Sequence, residues 1–148
     1  MSYENPWIFD EVIFDSEDID KYVGFVYCIV NLIDGRKYIG RKYFHSIRKV
    51  KGKSRRQRKE SDWKNYYGSS KELLTDVEKH GIINFKRIIL SLHTTRGDIN
   101  YEEVKQQFLN NVLESDKYYN DNINGKWMRK PQHIVEGRKI SSVRLEEI

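Results

Sequence analysis

Two apolar runs, residues 22–33 and 37–40, flank an Asp34-Gly35 pair. The pattern predicts a β-hairpin, because an antiparallel ribbon joins two half-buried strands through residues that tolerate a tight turn. Side-chain parity puts Tyr27 and Tyr38 on one face, with Val26, Cys28 and Val30 on the other. Two registers satisfy that parity. A two-residue turn sets Tyr38 opposite Asn31, whereas a loop including Asn31 to Asp34 sets Tyr27 opposite Tyr38. A site built on both phenols requires the second.

Residues 48–61 have no apolar periodicity and predict a mobile basic loop. Ser69 with Glu72 three residues later is a capping-box pattern, and Leu73, Leu74 and Val77 follow at helical spacing until Gly81. A helix from about Ser70 to His80 is expected. Asn84 to Leu92 reads as a third, largely buried strand. Thr94 to Asp98 reads as a turn, and Asn100 as the cap of a last helix with Val104, Phe108 and Val112 on its inner face. The expected fold is α/β (α+β): a small mixed, mainly antiparallel three-stranded sheet flanked by helices.

Composition sets the scale. With 148 residues, of which 38% are hydrophobic, the chain closes one core rather than two. The net charge of +5 hides an asymmetry. Glu4, Asp10, Glu11, Asp15, Glu17, Asp18 and Asp20 all precede the first basic residue, Lys21, so residues 1–20 form an acidic arm. We read it as a brace over the basic surface, with mimicry of a nucleic acid as the alternative. From Arg36 to Lys59 the chain is dense in Lys and Arg without one Asp or Glu, and the tail 126–148 is again basic. Such a stretch calls for a polyanion.

Other chemistries are excluded. The lone Cys28 has no disulfide partner, and no Cys/His pair has zinc-site spacing. The N-terminus lacks a secretory leader, and no apolar run approaches the ~20 residues of a membrane span. An intracellular, cytoplasmic protein without membrane or small-molecule cofactor is expected. His80, before Gly81, reads as a helix-end residue favoured by the dipole, His93 and His133 as surface groups, and Cys28 as a buried thiol.

The order of parts resembles the GIY-YIG nuclease family, and most of all its small phage-encoded Seg-type homing endonucleases. Tyr38-Ile39-Gly40 stands as the second half of the family's name, and Tyr27 fills the tyrosine of the first. There Phe25-Val26-Tyr27 replaces the usual triplet, and Gly24 falls one position early. The stretches Glu60–Trp63, Tyr66–Ser69, Asn84–Leu90 and Tyr118–Asn120 extend the likeness, which covers Tyr22 to Gly125. It implies a nuclease domain at 21–125, acting on double-stranded DNA with Mg²⁺ or Mn²⁺, by site-specific homing or nicking.

Residue by residue, the resemblance implies a metal-ligand glutamate at Glu103, where a cation neutralises charge on the scissile phosphate. Tyr27 corresponds to the tyrosine that takes a proton from water. An ordinary phenol near pKa 10 needs nearby cations for that, and Arg41, Lys42 and the metal are the candidates. Arg48 corresponds to the catalytic arginine that grips phosphate oxygens. Tyr38 orients water or phosphate, and Asn120 supports the site by hydrogen bonding; His45 is a candidate auxiliary group by its position three residues before Arg48, not by a place in the family pattern. DNA contacts are expected from Arg41, Lys49, Lys51, Lys53, Arg55, Arg56, Arg58, Lys59, Trp63 and Lys64.

Two alternatives stay open. Glu103 stands three residues after Asn100, where a capping glutamate belongs, and Glu102 lies nearer the apolar edge of the helix. A basic chain with this hairpin is also compatible with a nucleic-acid-binding protein that does not cleave.

Overall fold

The computed structural model describes residues 2–49, 52 and 56–148. Strands β1 (Ile8–Phe9), β2 (Val12–Ile13), β3 (Gly24–Asn31), β4 (Lys37–Tyr43), β5 (His45–Lys49), β6 (Arg56–Glu60) and β7 (Phe85–His93) are joined by helices α1 (Lys71–His80) and α2 (Arg96–Leu109). The main sheet has five strands in the order β2-β1-β7-β3-β4, mostly antiparallel, with β1 parallel to β7. The α+β expectation holds, and the sheet has two strands more than predicted.

Those two strands come from the acidic arm. Each has only two residues, too short for a period to show. Their anchors are apolar: Trp7, Phe14 and Ile19 are buried among Phe25, Phe44 and Trp63. Trp7 Nε1 donates to the Trp63 carbonyl at 2.7 Å, so its one polar atom is also satisfied.

The β3–β4 register lies midway between the two predicted. Tyr27 faces Gly40, and Tyr38 faces Ile29. Asn31 sets this register: its backbone N–H donates to Arg36 O, and its side-chain Oδ1 accepts from Ile33 N, closing a four-residue loop over 32–35. The phenols therefore meet diagonally, with ring centroids 6.2 Å apart, and no longer loop is needed. In the pairing of β3 with β7 the register shifts between Val26 and Tyr27, leaving Leu90 of β7 as the extra residue of a bulge.

The predicted loop is a ribbon in its described parts. His45 to Lys49 pairs with Arg56 to Glu60. Its root is fastened to the core, since Phe44 is buried and its carbonyl accepts from Ser61 N at 2.8 Å. Backbone pairing started there needs no apolar period further out.

The helix caps lie one and five residues from where the pattern placed them. Ser70, rather than Ser69, caps α1 through Leu73 N. Thr95 caps α2 through Asp98 N, so the expected turn is the first turn of helix. His93 is buried there instead of lying on the surface, bridging Ser91 Oγ (2.7 Å) and Asp98 Oδ2 (2.6 Å) and tying α2 to β7. Among the described residues, no helix is long and apolar enough to cross a membrane.

Candidate active site

Strand β4 is an edge of the sheet, and the site is a notch in that edge. Its outer backbone is covered over the first residues by segment 117–120: Lys37 N donates to Lys117 O and Tyr119 N to Lys37 O. Asn120 completes the cover with its side chain, accepting from Ile39 N (3.1 Å) and donating to Ile39 O (2.8 Å). Beyond Ile39 the edge opens into a cavity of about 290 Å³, whose walls include Tyr27, Tyr38, Arg41, Tyr66, Glu103 and Asn120.

Gly40 joins the two faces of the sheet at this point. It lies opposite Tyr27, and a Cβ there would stand 2.5 Å from Tyr27 Oη and 2.7 Å from Tyr27 Cζ. A bare backbone is therefore required for the phenol to reach the edge, where it meets Arg41 and Glu103 from the other face. Gly40→Ala is expected to push the ring aside, costing about 1–3 kcal/mol of stability by overpacking and lowering cleavage about 10²-fold by misplacing the phenol. Thermal unfolding and cleavage assays on the same preparation check both; an unchanged cleavage rate would remove Tyr27 placement from the explanation.

On α2 the inward stripe is Ile99, Glu103 and Gln107, with half-buried Val104 packed against the same core cluster as Ile99. Of the predicted inner face, Phe108 fails, being 46% exposed, and Val112 is buried in that cluster but lies past the end of the helix. The stripe is polar because the edge strand needs partners: Gln107 Nε2 donates to Ile39 O at 2.9 Å. Arg41 Nη1 donates to Glu103 Oε1 at 2.6 Å. Glu102 instead accepts from Gln106 Nε2. Of the two glutamates, Glu103 lines the cavity and Glu102 does not.

Electrostatics run against one expectation. Burial raises the Tyr27 phenol well above its ordinary value, and the neighbouring phenols of Tyr66 and Tyr38 push it the same way. Burial raises Tyr38 as well. Lys42, expected to lower Tyr27, pairs with Asp62 Oδ1 at 2.6 Å and lies over the Tyr66 ring. Arg41 is committed to Glu103. For Glu103, burial raises the carboxyl above its ordinary 4.5, and Arg41 offsets only part of that.

Other predicted residues lie elsewhere. His45 lines a separate cavity with Lys42. Trp63 is 0% exposed and donates to Glu60 Oε1, so it has no face for a base to stack on. Lys64 pairs with Asp15, and Arg58 and Lys59 are exposed on β6. The side chains of Arg48, Lys49 and Arg56, and all of Lys51, Lys53 and Arg55, lie outside the described residues. In the tail, Arg129 serves as a clamp, donating to the carbonyls of Ser115, Tyr118 and Asn120. Tyr66, Gln107 and Asp121 line the cavity without having been singled out. Gln107 had a signal, since it stands one helical turn after Glu103.

Two phenols, a guanidinium and a helix-borne carboxylate around one edge notch define a domain suited to chemistry on an anionic ester. The family model described as "Putative endonuclease segE, GIY-YIG domain" matches residues 7–123, and the chain belongs to this family of GIY-YIG nucleases. It is a DNA endonuclease by family. No curated protein and no solved structure shows significant similarity to it.

Proposed function

We propose that the chain hydrolyses phosphodiester bonds in double-stranded DNA with Mg²⁺, cutting one strand at the β4 notch in each encounter. What carries the reading is the convergence of Tyr27, Tyr38, Arg41 and Glu103 on one open cavity. Among the described residues no group of three or more His, Cys, Asp or Glu is placed to hold a metal ion. A hydrated Mg²⁺ does not require one, because it keeps several waters and takes one or two carboxylates plus substrate phosphate. Glu103, with Asp121 on the same cavity wall, fits that donor set. When bound, the cation supplies positive charge for the phosphate and leaving oxygen.

The chain's own groups have distinct tasks. Tyr27 and Tyr38 keep their protons at neutral pH and donate hydrogen bonds, holding the attacking water and a phosphate oxygen in line. Tyr27 as proton acceptor is disfavoured by its burial. Arg41 orients Glu103 and presents its remaining N–H groups to the phosphate. Asn120 and Gln107 keep the edge strand rigid beneath them.

Supercoiled plasmid incubated with Mg²⁺ tests this. Wild type is expected to relax it, EDTA to stop the reaction, and Tyr27→Phe to slow it about 10²-fold. DNA that is bound but left intact by wild type, across many sequences, would favour a binding protein without cleavage.

A further inference from the structure

Beside the notch lies a second cavity, of about 480 Å³, walled by Arg41, Lys42, Tyr43, His45, Ser61 and Arg96. Arg41 belongs to both walls, so the two cavities adjoin. From these side chains we infer that the second cavity is a subsite for a backbone phosphate of the DNA strand next to the scissile one, with Arg96 as its principal cation. The inference rests on the nuclease reading above and adds to it where the flanking strand is gripped.

Charge pairing identifies Arg96. Arg41 is tied to Glu103 and Lys42 to Asp62, each at 2.6 Å. Among the described residues no carboxylate pairs with Arg96. Its guanidinium is nevertheless positioned, with Cζ 4.1 Å from the centroid of the Tyr43 ring. Its location is unfavourable for folding, since it occupies the first turn of α2, where the helix dipole disfavours a cation. A cation held in place at a cost to stability, exposed and without an acid, is explained by an anion that arrives with the substrate.

His45 adds a neutral donor. Arg58 Nη2 donates to His45 Nδ1 at 2.9 Å, which leaves the proton on Nε2. Burial first, and then the Arg58 charge, hold this imidazole below its ordinary 6.5, so it stays neutral at physiological pH. Two contacts of different kind result: Arg96 displaces a counterion from the DNA, and His45 does not.

The test is binding of the full chain to a short mixed-sequence duplex in EDTA, where no cleavage occurs, over a range of salt concentrations. Arg96→Gln is expected to lower the slope of log affinity against log salt by about one and to weaken binding about tenfold near 0.1 M salt. Arg96→Lys keeps the slope. Lys79→Gln, which removes an exposed cation outside both cavities, leaves slope and affinity near wild type. In cleavage assays with Mg²⁺, Arg96→Gln raises KM and spares kcat at saturating DNA. Wild-type binding and slope in Arg96→Gln, or an equal loss in Lys79→Gln, overturns the subsite while leaving the nuclease reading intact. Wild type that neither binds nor cuts DNA overturns both.

Discussion

Glu103→Gln is expected to lower cleavage by 10³-fold or more while DNA binding in EDTA persists or tightens. The substitution keeps shape and removes charge, so under the function proposed above Mg²⁺ would lose its helix-borne ligand, a contribution of several kcal/mol to a phosphoryl transition state. Binding is spared because the lost charge is negative and faces a polyanion. Arg41, freed from its 2.6 Å partner, then becomes available to phosphate.

The same variant has a stability signature. Glu103 has a folded-state pKa raised by burial, so the fold favours its protonated form. That contribution is fully present below the unfolded pKa and is lost as pH rises through the raised folded value. At neutral pH the ionised carboxylate therefore opposes folding, and the uncharged Gln is expected to match or exceed wild type in thermal unfolding. Below pH 4 the two melting curves converge toward each other. An inactive variant that also melts well below wild type at pH 7 would show that Glu103 is a structural group, and would sink its assignment to the chemistry.

Arg87→Ala carries the largest expected loss of stability. Arg87 is 1% exposed, and among the described residues no carboxylate pairs with it. Burial depresses its pKa, yet a guanidinium stays charged. The charge is solvated by the protein: Nη1 donates to Tyr66 O (2.9 Å), Nε to Asn5 O (3.1 Å), and the Trp7 and Tyr67 rings lie 4.8 and 4.3 Å from Cζ. One side chain of β7 thus holds the acidic arm on one side and the Tyr66 wall of the notch on the other. Removing it strands buried carbonyls and leaves a void, a cost of about 3–5 kcal/mol. For a domain of this size that lowers Tm by about 10 °C. Arg87→Lys recovers little, because a point charge cannot span carbonyls that a planar fork reaches. A melting temperature within about 2 °C of wild type for Arg87→Ala would show that the arm is held by its apolar anchors alone.

The clamp also bears on the arm's purpose. Trp7, Phe14 and Ile19 are core residues, and none of the described residues 2–20 lines the notch. Arm deletion is therefore expected to unfold the domain rather than to activate it.

What was legible in the chain depended on local rules. Period-two parity placed Tyr27 and Tyr38 on one face in any register, and capping and spacing located α1 to within a residue. Glu103 was legible through family likeness, while the apolar face of its own helix pointed elsewhere. That face misled because Phe108 stays exposed, whereas Glu103 and Gln107 turn inward to serve an edge strand lacking hydrogen-bond partners. Arg87 gave no signal at all, since nothing in a strand's pattern says that the residue between Lys86 and Ile88 will meet the carbonyls of Asn5 and Tyr66.

By itself the sequence determined the hairpin, the shared face of the two phenols, the density of basic residues and the succession of α1, a buried strand and α2, all consequences of chain periodicity and composition over a few residues. Tertiary structure alone decided the register, the inward turn of Glu103, the burial of Trp63 and the pairing that leaves Arg96 without an acid. Each of these depends on which polar atoms remain unsatisfied once distant segments meet, and that demand arises only in the folded chain.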